Sequence, residues 1–118
     1  MKYNIIINQF ALAGTNLDLI DAAILDYLYF LCNSKSDRVV QNRIQDERGD
    51  WTWIDYQILI NDMPLLRLTS RQSVSDSFKK LRDNGYIKTK LGAGLQPSER
   101  QVYVLLLEKV EDVFSTNL

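Results

Sequence analysis

The sequence predicts a mainly α-helical fold with a small β-hairpin, an α+β domain. Three observations lead to that expectation. Apolar residues recur every three or four positions across 17–31 and again across 74–81, the spacing of helices with one buried side. Near the end, "YIKTKL" and "RQVYVLLL" are rich in β-branched and aromatic residues and flank "GAGLQPSE", which has the glycine and proline of a hairpin tip. No repeat, low-complexity tract or Pro/Gly/Ser-rich linker divides the 118 residues, so a single domain spanning 1–118 is expected.

Each element has its own local reason. "YNIIINQF" (3–10) is short and β-branched, an expected N-terminal strand or extended arm. In "GTNLDLIDAAILDYLYFLCNS", Thr15 and Asp18 stand at capping-box spacing. Leu17, Ile20, Ile24, Tyr27, Leu28 and Leu31 follow as its buried stripe. Leu25, Tyr29 and Phe30 spill around the side, giving either a deeply buried helix or a dimer surface. Residues 33–50 are polar apart from Val39, Val40 and Ile44, and read as a loop with room for a short strand and a turn at Arg48–Gly49–Asp50. "WTWI" (51–54) alternates as a strand should, with Trp51 and Trp53 expected in the core. Asp55 caps a short helix, "YQILINDM", which Pro64 ends. Thr69 or Ser70 then caps a helix whose Val74, Phe78 and Leu81 lie on one side, and Gly85 occupies the position where a left-handed residue closes a helix. "EKVEDVFSTNL" can end the chain as a short helix through Val110, Val113 and Phe114. Three helices including a helix-turn-helix (about 55–84), then a two-stranded wing (about 86–107), make the winged helix-turn-helix arrangement.

Charge is unevenly distributed along this order. The chain carries a net −1, yet residues 67–100 hold eight basic residues against three acidic, a surplus of +5 that leaves −6 for the remainder. Binding to phosphate depends on the local face rather than on the total, so the segment suits nucleic acid despite a pI near 5.3. The bland alternative is a solvated helix with scattered lysines.

The run "LTSRQSVSDSFKKLRDNGYIKTK" (68–90) resembles winged helix-turn-helix DNA-binding domains. Similar runs occur in transcriptional regulators of the multiple-antibiotic-resistance type. The longer stretch "WTWIDYQILINDMPLLRLTSRQSVSDSFKKLRDNGYI" looks closer to the amino-terminal domains of phage and plasmid replication initiators and replisome organisers. The resemblance covers 51–107 well and 15–34 loosely, and implies DNA binding in replication or in transcription regulation. It departs from the antibiotic-resistance regulators at the wing, where their Asp-x-Arg is replaced by "PSERQ" and Arg100 is the remaining candidate.

Helical geometry alone gives the same segment a role. With Val74, Phe78 and Leu81 inward, Gln72, Asp76, Lys79 and Asp83 face outward, flanked by Ser75 and Lys80. A helix of this kind enters a major groove by its amino-terminal end. Arg71 has the donors for guanine, Gln72 the donor and acceptor for adenine, and Ser75 is short enough for close approach. Lys79, Lys80 and Arg82 follow as phosphate contacts, and Lys88, Lys90 and Arg100 as wing contacts. Thr69, Ser70 and Ser73 complete the set at the helix start. Each has a plainer alternative: Gln72 at capping-box spacing from Thr69, Ser70 or Ser73 as a cap, and helix-stabilising pairs Asp76–Lys80 and Lys79–Asp83.

Other functions find little support. With no histidine and one cysteine, Cys32, neither a general-base histidine nor a zinc site is available. No phosphate-cradling glycine loop is present, so no enzyme activity, cofactor, metal or small-molecule substrate is expected. Absence of an apolar span or leader, with the unpartnered cysteine, leads to the expectation of a cytoplasmic protein away from membranes. The expected partner is double-stranded DNA, with a homodimer through residues 16–33 and the terminal segments. A protein–protein adaptor on the same fold is the competing expectation.

Overall fold

The structure, a computed structural model, describes residues 4–41, 43–91 and 101–114. Among these residues six helices and four strands follow one another as α1 (Gln9–Leu12), α2 (Leu19–Cys32), α3 (Asp37–Gln41), β1 (Arg43–Asp46), β2 (Gly49–Asp55), α4 (Tyr56–Asp62), α5 (Arg71–Asp83), β3 (Ile87–Lys90), β4 (Gln101–Leu106) and α6 (Glu111–Phe114). A 3₁₀ turn at Pro64–Leu66 joins α4 to α5, and another at Glu108–Val110 precedes α6. The strands form one antiparallel sheet in the order β1-β2-β4-β3. The expected α+β class is thus observed.

Helices cover one face of this sheet. Ile24, Leu25 and Leu28 of α2, Leu59 of α4, and Val74, Phe78 and Leu81 of α5 pack with Ile54, Ile87 and Val104 of the strands in a single core. Strand alternation turns Trp51 to the other face, where it is nonetheless buried, while Trp53 is half-buried. Leu25 is fully enclosed and Tyr29 stacks on Phe114 at 4.2 Å, so of the three spilling residues of α2 only Phe30 is exposed.

The start of α2 differs from expectation. Its cap is Asp18, whose carboxylate accepts from the Asp21 N–H at 2.8 Å, while Asp21 accepts from the Asp18 N–H at 3.0 Å. This capping box lies one turn later than the one centred on Thr15, which instead donates to the Leu12 carbonyl in the preceding turn. Of the two alternatives for the N-terminal segment, no strand forms: residues 4–8 have no regular structure, and α1 takes Gln9 and Phe10, with Asn8 capping α1 while donating to the Val113 carbonyl and so tying the two ends of the described chain together. Within 33–50, β1 is the short strand the sequence allowed, α3 was not expected, and the turn falls at 47–48, with Gly49 and Asp50 already in β2. Arg43 of β1 explains the placement, since its guanidinium donates to the Cys32 and Ser34 carbonyls at 3.0 and 3.2 Å and so closes the carboxyl end of α2.

The two helices expected over about 55–84 form largely as expected. Asp55 caps α4 by accepting from the Gln57 and Ile58 N–H groups. Ser70, rather than Thr69, caps α5. At its other end the Gly85 N–H bonds the Arg82 carbonyl and the Tyr86 N–H bonds the Leu81 carbonyl, the paired closure that requires a left-handed residue between. Gly85 has φ +81°, and a β-carbon there would have nothing closer than 3.9 Å, so the cost of Gly85→Ala is backbone strain alone. It should lower stability by about 1–2 kcal/mol, read by urea unfolding. No change would show that this closure does not fix the exit from α5.

Candidate nucleic-acid interface

Among the described residues, the basic residues of the expected set separate into those with a carboxylate partner and those without one. Gln72, Asp76, Lys79 and Asp83 are all exposed on one strip of α5, as its periodicity requires. Along that strip Gln72 donates to Asp76 at 2.8 Å rather than closing a capping box, and Lys79 pairs with Asp83 at 2.7 Å. The strip therefore offers hydrogen-bonding groups but no surplus positive charge.

Lys80 does not pair with Asp76. It sits on the side of α5 that faces α2, and its ammonium pairs with the carboxylate of Asp21, which is buried, and lies 3.8 Å from Asp18. Ser77, also buried, donates to Asp21 at 2.6 Å. Burial alone would push the Asp21 carboxyl up, but the Lys80 ammonium, the Ser77 hydroxyl and the Asp18 N–H together hold it below the usual carboxylate range. Lys80 is thereby part of the joint between α2 and α5.

Lys90 is committed in a similar way. Its ammonium bonds Asp46 of β1 at 2.7 Å and lies 4.2 Å from the Trp51 ring centre. The Lys90 contact, with a contribution from Trp51, holds the Asp46 carboxyl well below its ordinary range. The indole N–H itself is buried with no acceptor at full hydrogen-bond geometry, so Trp51 acts on Asp46 as a nearby dipole rather than as a formed bond.

Arg71, Arg82 and Lys88 are different: among the described residues none has an ion pair. Arg71, Ser75 and Arg82 share one side of α5, the arginines about 16 Å apart by helical rise. Arg82 donates to Thr89 of β3 at 3.0 Å, a neutral partner that fixes the guanidinium between helix and strand without cancelling its charge. Lys88 is exposed on that same strand. Of the remaining expected residues, Thr69 and Ser70 are exposed, Ser70 and Ser73 share a hydroxyl contact of 3.1 Å at the helix start, and Ser75 is half-buried. Arg100 and the hairpin tip lie outside the described residues.

Arg48, at the β1–β2 turn, was not among the expected contacts. It lines a groove of about 380 Å³ together with Arg82, Lys88 and Thr89. Only the fold brings it there, and the sequence around it, "DERGD", reads as an ordinary turn with acidic neighbours.

Two other concavities carry different chemistry. A cleft of about 370 Å³ is lined by Tyr27, Phe30, Trp53, Asp55 and Asp62, among others. Its carboxylates are engaged, Asp55 as the cap of α4 and Asp62 as acceptor from the Tyr27 hydroxyl at 3.1 Å. A second groove is bordered by Phe10 and Leu19, both highly exposed. Among the described residues no group of three or more acidic or cysteine side chains could hold a metal ion, and no helix is long and apolar enough to cross a membrane.

Comparison of the chain with protein-family models, curated proteins and solved structures finds no match.

Proposed function

We propose that this chain is a winged helix-turn-helix module that binds double-stranded DNA, as a phage- or plasmid-type replication initiator or replisome-organiser domain or a small transcriptional regulator. In this reading α5 enters the major groove and the β3–β4 hairpin follows the backbone. The element order supports it: α4 and α5 form the helix pair, and β4 lies between β2 and β3, so the hairpin is joined to the strand that precedes the pair. The observation that carries the DNA assignment is the run of cations without an ion pair among the described residues, Arg71, Arg82 and Lys88, along the α5–β3 side. The module acts by binding, without catalysis. It is proposed to work as a homodimer through residues 16–33 and the terminal segments, supported by the exposed Leu19, Ile20 and Phe10.

Fluorescence anisotropy with a labelled duplex tests the proposal. Affinity should fall about 10–100-fold between 50 and 200 mM salt, the response expected for roughly two to four phosphate contacts. Arg82→Ala combined with Lys88→Ala should weaken binding to every sequence alike and flatten that salt dependence by about two contacts. Lys79→Ala should change little, because Asp83 already offsets its charge. Loss of DNA retention at low salt, with capture of a protein partner through the Phe10–Leu19 groove, would favour the adaptor reading instead.

A further inference from the structure

We propose that the groove between the β1–β2 turn and the start of β3 carries a DNA phosphodiester, making Arg48 a phosphate contact from an element outside the helix pair and the hairpin. The inference rests on the DNA-binding reading and extends its footprint across the sheet to a third element.

Three cations from three separate parts of the chain line this groove: Arg48 from the turn, Arg82 from the end of α5 and Lys88 from β3. Among the described residues no carboxylate lines it and none of the three has an ion pair. Of the three carboxylates within two residues of Arg48, Glu47 and Asp50 are exposed and form no ion pair with it among the described residues, and Asp46 is already used. Asp46 accepts from the Arg48 backbone N–H at 2.8 Å, which shapes the turn, and its other oxygen receives Lys90. The Arg48 side chain is exposed and has no ion pair among the described residues, while its backbone is anchored.

The turn is also held in place from behind. Gly49 has φ +139°, a conformation that disfavours other residues, and a β-carbon there would meet the Leu105 side chain at 3.2 Å. The Arg82 guanidinium is held by Thr89, and the backbone of Lys88 by pairing of β3 with β4. Preset cations lose less freedom on binding than flexible ones do.

The shape favours a continuing strand over a small anion. The groove is open rather than enclosed. Arg71 extends the uncompensated charge beyond it along α5. A backbone with phosphates at regular intervals can occupy such a track, whereas one free phosphate would meet only part of it.

The test uses the whole chain and a labelled duplex of about 20 base pairs, near 100 mM salt and across a salt series. Arg48→Ala should weaken binding about 3–10-fold and reduce the slope of log affinity against log salt by about one contact, with a larger loss for Arg48→Glu. Arg48→Lys should retain most of the affinity, and Lys35→Ala, an exposed lysine outside the groove, should stay within about twofold by the same reasoning. Wild-type binding that Arg48→Ala and Arg48→Glu leave unchanged would overturn the groove assignment alone and leave α5 and the hairpin as the interface. A wild-type chain that does not bind duplex would overturn both. Displacement of duplex by inorganic phosphate at constant ionic strength, lost in Arg48→Ala, would make the groove a small-anion site and overturn the phosphodiester assignment.

Discussion

Replacing Lys80 with alanine should destabilise the fold by about 2–3 kcal/mol, several times the effect of the same change at Lys79. The difference comes from what each leaves behind. Lys79 and Asp83 are 67% and 59% exposed and lose little on separation, whereas removing Lys80 strands Asp21 in the α2–α5 joint with its side chain 2% exposed. The ammonium retains partial contact with water, which places the expected cost at or below the lower end for breaking a fully buried pair. Urea unfolding at neutral pH measures it, and equal losses in the two variants would remove Lys80 from the joint.

The pH dependence of that difference has a definite sign. Hydrogen bonding and charge hold Asp21 below its unfolded value, so its contribution is complete above the ordinary aspartate range and fades as pH falls through the lower folded value. Chiefly through its bond to Asp21, Lys80 is raised, so its contribution is complete below the ordinary lysine range and fades as pH rises through the higher folded value. The gap between wild type and Lys80→Ala should therefore be flat from about pH 5 to pH 10 and narrow in acid. A gap that widened in acid would contradict an ionised Asp21 in the native state.

Phe78→Ala should cost still more, about 3–5 kcal/mol. Phe78 is wholly enclosed and meets the Tyr56 ring edge-on at 5.1 Å, so it joins α5 to α4 as well as filling the core. Phe10→Ala is the matched comparison, since Phe10 is 97% exposed and its loss should stay within about 0.5 kcal/mol. Thermal or urea unfolding of the two variants checks both values. Similar losses would mean that Phe78 is not the keystone between the two helices.

What could be read in advance followed local physics. Val74, Phe78 and Leu81 gave away the buried side of α5, Asp55 the start of α4, and Gly85 the turn into β3, because each signal lies within a few residues of what it determines. The start of α2 could not be settled that way. Thr15–Asp18 and Asp18–Asp21 both have capping-box spacing, and the choice coincides with Ser77 and Lys80 reaching Asp21 from more than fifty residues away. The same distance problem affects the charge map. Nothing near Lys90 in sequence indicates that Asp46 will take its ammonium, and nothing near Arg48 indicates that Arg82 and Lys88 will become its neighbours. The class of fold and the segment of interest were therefore readable, while the division between committed and uncommitted cations required the strand pairing.

The lone cysteine has a practical consequence. Cys32 is half-buried as a residue, but burial of its sulfur, against the opposing pull of Thr52 and Arg43, pushes the thiol up to about 11. Near neutrality it is almost entirely in the form that maleimides and iodoacetamides attack slowly. A second thiol placed on a wet helical position such as Gln72 would consequently take up a fluorophore or spin label ahead of the native one, with no need for a cysteine-free background.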